Sequence, residues 1–262
     1  RATKTGLVRT ALFLREKSEN MEGFTMIYGA LLASNSFADR FYQNFIEDNR
    51  WLMLLNGLKV TVIVTLEALL IGIIIGFIVA IIRSYHDKTG KFTILNAVCK
   101  VYLTVIRGTP SMIQILIMYL VVFGSSSLNS IIIGGIAFGI NSGAYVAEIV
   151  RSGIMSIPEG QTEAGRSLGL SYAQTMRLII MPQAFKNVLP ALVNEMIVLI
   201  KETAIIGYIG EQDLTKAAMV IQSRTFDALL PLLAAAVIYL ALICLLTFFM
   251  NKLERRLRNN ER

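Results

Sequence analysis

SIPEGQTEAGRSLGLSYAQTMRLIIMP, residues 156–182, lies between two long apolar stretches and is itself polar, broken by glycine and ended by proline. Such a segment does not sit in lipid, where unpaired polar groups are costly. Its local signals are specific. Ser156 precedes Glu159 by three residues, and Ser171 precedes Gln174 by three, so both pairs have capping-box spacing. Pro158 suits a first helical turn, where its missing N–H costs little. Gly169 can adopt the left-handed conformation that closes a helix. The spacing predicts two short helices, one over about 157–167 and a second beginning after Ser171, with a tight reversal between them. The first presents Glu163, Arg166 and Ser167. Pro182 limits or bends the second.

Working outward, the flanking runs set the fold class. PLLAAAVIYLALICLLTFFM, 231–250, has no charged residue, and VTVIVTLEALLIGIIIGFIVAII, 60–82, has one, Glu67. Each is long enough to cross a bilayer, which takes roughly 20 apolar residues. The 262-residue chain is 55% hydrophobic and only 16% charged, which excludes an ordinary soluble domain. The pattern predicts an all-α polytopic membrane protein with five spans, near 53–82, 101–123, 130–150, 183–206 and 229–250. The fourth carries Lys186, Pro190, Glu195, Lys201 and Glu202, so it needs a face inside a bundle or on an aqueous path. Gly72 and Gly76, and Gly135, Gly139 and Gly143, recur at four-residue spacing and predict close helix packing.

Charge gives the orientation. Lys and Arg concentrate in 83–100, in 151–182 and in the tail KLERRLRNNER, 252–262, whereas GSSSLN, 124–129, is uncharged. With five spans, the positive-inside rule puts the C-terminus in the cytoplasm and the N-terminus outside. Seven Lys/Arg in residues 1–50 sit awkwardly with this. FTMIYGALLA, 24–33, is short for a span and reads as an interfacial or bundle-packed segment. The net charge of +7 follows from the cytoplasmic loops and requires no nucleic-acid partner.

Cys99 and Cys244 lie in or beside spans and suggest no disulfide framework. His86, the single histidine, sits in a basic loop and suggests neither a metal site nor a catalytic base. There is no G-x-x-x-x-G-K-[ST] phosphate loop; LIGIIIGF, 70–77, and IIIGGIAFG, 131–139, are apolar and lack the lysine. No catalytic residue, metal or cofactor is expected in the chain.

The cytoplasmic segment resembles the diagnostic motif of membrane subunits of bacterial ATP-binding-cassette importers: EAA, three residues, glycine, nine residues, isoleucine, one residue, LP. Glu163, Ala164 and Gly165 take the first positions, followed by Gly169, Ile179, Met181 and Pro182. Gly165 stands for alanine, which would loosen the helix by about 1 kcal/mol, and Met181 for leucine. RGTP at 107–110, NSGAYVAEIVRSGIMSIPEGQTEA at 141–164 and PALVNEMIVLIKETAIIGYIG at 190–210 resemble the polar amino-acid branch. The resemblance covers roughly 50–252. It implies a five-helix permease core over 50–252, an N-terminal extension over 1–49 and a basic tail over 253–262. It also implies a second permease copy or paralogue, two ATPase subunits that carry ATP and magnesium, and an extracytoplasmic binding protein. The 159–171 element would dock in an ATPase cleft.

A polar amino acid crossing lipid needs partners for both charges. The candidates by position are Glu67, Asn141, Ser142, Tyr145, Asn194, Glu195 and Lys201. Glu195 and Glu202 lie seven apart on one helical face, as do Asn194 and Lys201 one step round. Lys201 can also snorkel, and Glu195 can pair across a subunit interface. Arg107 of RGTP is expected to shape a kink in the second span rather than touch solute. An ion-coupled carrier fits poorly without an inverted repeat. A membrane scaffold leaves the polar midspan residues unexplained.

Overall fold

A computed structural model describes residues 36–259, which are helical almost throughout. The segment 24–33 lies outside the described residues. Among the described residues, chain order gives ten α-helices: α1 Phe37–Phe41, extended by a π-type turn Tyr42–Ile46; α2 Trp51–Thr89; α3 Thr93–Gly108; α4 Ser111–Ile117, extended over Met118–Val122; α5 Ser130–Met155; α6 Glu159–Ser167; α7 Tyr172–Thr175; α8 Met181–Glu202; α9 Leu214–Thr225; and α10 Leu229–Asn259. Residues 253–259 of the basic tail continue α10 as helix.

By length and apolarity, α2, α5 and the Leu229–Lys252 part of α10 can cross a membrane, and α3 with α4 form a fourth candidate bent by 110°. That bend falls on RGTP: α3 ends at Gly108, Thr109 is extended and Pro110 opens α4. The pre-proline residue avoids the helical region and proline has no N–H to continue the ladder. Gln114 bridges the break by donating to the carbonyls of Ile106 and Thr109 at 2.8 and 3.1 Å and to Thr109 Oγ1 at 2.7 Å. The expected second span is therefore two helical pieces.

The expected fourth span corresponds to α8, followed by a tight turn over Thr203–Ile209. Its charges keep it outside the apolar class, and it packs inside the bundle instead. Ala184, Val188, Leu192, Glu195 and Leu199 form its buried stripe at three- and four-residue spacing.

The centre is the α2–α5 pair, and glycine permits its closeness. A Cβ at Gly76 would lie 2.5 Å from Val146, and one at Gly139 would lie 2.6 Å from Ile71. Small-residue seams of this kind let helix backbones approach.

One helix escapes the sequence reading. QDLTKAAMVIQSRT, 212–225, contains α9, capped by the buried Asp213, whose carboxylate accepts from the N–H groups of Thr215 and Lys216, both at 3.0 Å. Its buried side is Leu214, Ala217, Ala218 and Ile221, packed with Phe45, Leu54 and Ala235. The same corner holds α1. Arg40 makes a two-pronged pair with Asp227 (3.0 and 2.9 Å), and Asn44 bonds both Asp227 and Thr225.

Burial pushes the Asp227 carboxyl up, but Arg40, Asn44 and the Leu229 N–H outweigh it and hold the group below its ordinary range. A carboxylate with a depressed folded-state value stabilises the fold above its unfolded value of about 3.9. That contribution is lost as pH falls through the lower folded value. We expect α1 to lose amide-exchange protection over residues 40–46 on acidification below about pH 4, and Asp227→Asn to abolish that pH step. A pH step that persists in Asp227→Asn would contradict this reading.

Candidate functional site

The helical hairpin at 156–182 is built from its own backbone. At the end of α6, the Leu170 N–H donates to the Gly165 carbonyl (3.1 Å) and the Gly169 N–H to the Arg166 carbonyl (2.9 Å). These are the two bonds of a Schellman ending, with Gly169 at φ +77° in the left-handed position. The return helix is capped by the expected box: Ser171 Oγ accepts from the Gln174 N–H at 3.4 Å, and Gln174 Oε1 accepts from the Ser171 N–H at 2.9 Å. A π-type turn over Met176–Ile180 then carries the chain past Pro182 into α8.

The expected cap at the start of α6 does not form. Ser156 Oγ donates to the Gly153 carbonyl at 2.8 Å and accepts from Asn187 Nδ2 at 2.9 Å. It thus serves the end of α5, and α6 starts after Pro158 without a side-chain cap.

Glu163, Ala164, Gly169 and Pro182 are exposed, Ile179 and Met181 are half-buried, and Gly165 is buried. A Cβ at Gly165 would meet Thr175 Cγ2 at 2.5 Å and Oγ1 at 2.8 Å. Glycine at this position allows α6 to lie against the return helix. The exposed tip, Arg166, Ser167, Leu168 and Gly169, projects from the bundle, with Leu168 78% exposed.

The hairpin meets the bundle lightly. Tyr172 touches Tyr85 edge-on, with ring centroids 6.3 Å apart. Cavities of about 550 and 460 Å³ open beside Tyr172, the first bordered by Asp87, Arg151 and Glu159, the second by Ile81, Met176 and Met181.

A second polar region lies between α5 and α8. Ser142 Oγ donates to Glu195 Oε1 at 2.8 Å, and both residues are buried. Tyr145, Glu148, Ser152, Asn187 and Glu195 line an adjoining cavity of about 450 Å³. Asn141 Nδ2 donates to Gln114 Oε1 at 2.8 Å and so ties α5 to the bent α3–α4 pair. Of the sequence candidates, Ser142, Tyr145 and Glu195 come together, and Asn141, next to Ser142 in the chain, turns instead to Gln114. Glu67 lies apart: its Oε2 faces Gly135 and has no hydrogen-bond partner. Asn194 and Lys201 are exposed on α8. Glu195 finds its partner within the chain, at Ser142.

Two charged residues of this region were not candidates. Glu148 lies one turn past Tyr145, and Arg107 sits 5.8 Å above the Tyr145 ring and 3.6 Å from Glu148. The stripe Asn141, Tyr145, Glu148, Ser152 has helical spacing in the sequence and carried the signal. Arg107 reaches it because α3 packs alongside α5, where Tyr102 donates to the Ile140 carbonyl at 2.6 Å.

Residues 68–259 match the family model described as "Binding-protein-dependent transport system inner membrane component". The chain is 37% identical over 211 residues to the putative glutamine transport system permease protein GlnP of Rickettsia typhi, a match covering 79% of this chain and 93% of that protein. It is 37% identical over 213 residues to the arginine transport system permease protein ArtQ of Bacillus subtilis, covering 79% and 94%. A solved amino acid ABC transporter crystallised with histidines superposes with a TM-score of 0.73 at 39% identity, covering 81% of this chain and 98% of that one. The inward-facing MetNI methionine transporter shares the fold at 21% identity, with a TM-score of 0.67 over 79% of this chain and 97% of that one.

Proposed function

The chain belongs to the binding-protein-dependent transport system inner membrane components, and from that membership we propose how its two polar elements divide the work of an ATP-driven amino-acid importer. The 159–171 hairpin is the coupling element, and the α5–α8 cleft is the solute path. The observation that carries the reading is the hairpin itself. Its Schellman turn and capping box hold Glu163, Ala164, Gly165 and Gly169 in the family spacing, and its tip is presented to solvent.

ATP and magnesium belong to separate ATPase subunits, whose cleft receives residues 163–169. Ile179, Met181 and Pro182 join that element to α8. Closure of the ATPase pair pushes the hairpin, and α8 transmits the movement because the return helix runs into it through one π-type turn. The hairpin end of the bundle is cytoplasmic, in keeping with its lysine and arginine content. A second permease copy or paralogue completes the path, and an external binding protein delivers the solute.

The solute is a polar amino acid of the glutamine or arginine type, as the relatives' names suggest. Tyr145 and Glu195 provide the polar contacts at the cavity, with Ser142 holding Glu195 from behind and Asn141 next to Ser142. Glu67, Asn194 and Lys201 play supporting parts, Glu67 within the bundle and the two exposed α8 residues along the path.

A photo-crosslinker in place of Leu168 tests the coupling assignment. It should capture a co-expressed ATPase subunit, with a yield that changes when ATP is added. Capture at a control position on α10 but none at 168 would refute it. For the path, Ser142→Ala removes a hydrogen bond to a carboxylate, an interaction worth about 1.5–3 kcal/mol. Uptake should fall about tenfold or more while the crosslink at 168 persists. Full uptake in Ser142→Ala would remove this pair from the path.

A further inference from the structure

The α2–α3 side of the bundle holds a concentration of positive charge that adjoins the α5–α8 cleft through Arg107 and lies apart from the hairpin. Lys100, Thr104 and Arg107 follow one another at four- and three-residue spacing on one face of α3. Arg83 of α2 joins them. The side chains line a cavity of about 440 Å³ with Leu103 and Gly108.

The local charge is not balanced. Arg83 and Arg107 share one carboxylate, Glu148, at 3.9 and 3.6 Å, both longer than a charge-assisted hydrogen bond. Glu148 is drawn on by Arg151 as well, at 3.7 Å. Asp87, the other nearby carboxylate, is engaged by Arg151 at 3.1 Å. Among the described residues no carboxylate pairs with Lys100. The Arg83 Nε is buried and has no hydrogen-bond partner. A partly buried guanidinium such as that of Arg83, without a close acceptor, is costly; Lys100 and Arg107 are exposed beside it. Three cations converging on one cavity, with one shared carboxylate at long range, make a place for an anion.

We propose that Arg83, Lys100 and Arg107 form an oxyanion-binding site between α2 and the second half of α3. The ligand is a carboxylate or a phosphate, either the α-carboxylate of the transported solute or the headgroup of an anionic lipid. The guanidinium groups supply planar paired donors and Lys100 a compact charge. The Thr104 hydroxyl lies on the same lining, and Gly108 leaves the rim open, since a Cβ there would meet nothing within 4 Å. Basic pockets between membrane helices are suited to phosphate headgroups. The cation–π contact of Arg107 with Tyr145 links the site to the α5–α8 cleft, the route by which a solute carboxylate would reach it.

The test uses the full chain in nanodiscs and does not depend on an ATPase. In one arm, native mass spectrometry counts phosphatidylglycerol retained from mixed phosphatidylglycerol/phosphatidylcholine discs. In the other, calorimetry measures glutamine and arginine binding in phosphatidylcholine discs. The variant Lys100→Gln/Arg107→Gln should lower affinity for one of these ligands by at least about tenfold, the scale of one lost charge-assisted hydrogen bond. Lys59→Gln, an exposed charge loss outside the cluster, should leave it unchanged. Loss of retained lipid assigns a headgroup site, and loss of amino-acid binding assigns the solute carboxylate. A folded double variant that keeps both affinities overturns the proposal. On the unmodified chain, phosphatidylglycerol, glutamine, arginine or inorganic phosphate should also slow acylation of Lys100 by an amine-reactive reagent. No protection by any of them would overturn the proposal without recourse to variants.

Discussion

Replacing Gly169 with valine should uncouple transport from ATP hydrolysis while leaving the chain in the membrane. Gly169 sits at φ +77°, and a Cβ there would meet nothing within 4 Å, so the cost is conformational and not a clash. The left-handed region costs a residue with a Cβ about 1–2 kcal/mol, and β-branching raises that cost. The strain falls on the residue whose N–H closes the Schellman turn. About 1.4 kcal/mol shifts the closed–open equilibrium of the hairpin tenfold toward open, and coupled uptake should fall with it. Asn tolerates the left-handed region, so Gly169→Asn should retain most uptake. Membrane-inserted protein, measured by quantitative blotting, should change little in either variant. Equal loss of protein and uptake would show that Gly169 serves folding rather than coupling.

The second large effect reverses what helix propensity implies. Alanine at 165 restores the family pattern and gains about 1 kcal/mol of intrinsic helix preference over glycine. The structure predicts that Gly165→Ala is nonetheless harmful. The new methyl would lie 2.5 Å from Thr175 Cγ2, 2.8 Å from its Oγ1 and 3.1 Å from Ile179 Cδ1. Overpacking of this kind costs about 1–3 kcal/mol. It would push α6 away from the return helix and reposition Glu163. Thr175→Ala in the Gly165→Ala background removes both close atoms, including an Oγ1 that is buried without a partner. The double variant should recover uptake and the protease resistance of the hairpin. Wild-type behaviour of Gly165→Ala alone would show that the two helices have room to part.

These expectations show how unevenly the sequence reveals the chain. The reversal at Gly169 and the box at Ser171 are legible because their signals span three residues and every partner is local backbone. Ser156 has the same spacing to Glu159, yet its hydroxyl is engaged by Gly153 and Asn187, and Asn187 lies 31 residues away on α8. The reason for Gly165 is invisible for the same cause: Thr175 meets it only across the reversal. Helix α9 is hidden because its buried face is largely small, with Ala217 and Ala218 at its centre, and its flanks are polar. At RGTP the proline announces a kink but not a 110° bend. Nor does it announce the packing of α3 on α5 that sets Arg107 over Tyr145. Glu195 reads as a midspan carboxylate, and only the packing of α5 on α8 supplies Ser142 as its partner.

The central claim is that this membrane subunit moves a polar amino acid using energy delivered to its hairpin. It is tested most directly in proteoliposomes containing the chain, its ATPase and its binding protein, with radiolabelled glutamine or arginine outside and ATP inside. The account predicts ATP-dependent accumulation stimulated by the loaded binding protein and lost in Gly169→Val. Accumulation by this chain alone, driven by a sodium or proton gradient without the ATPase, would contradict it.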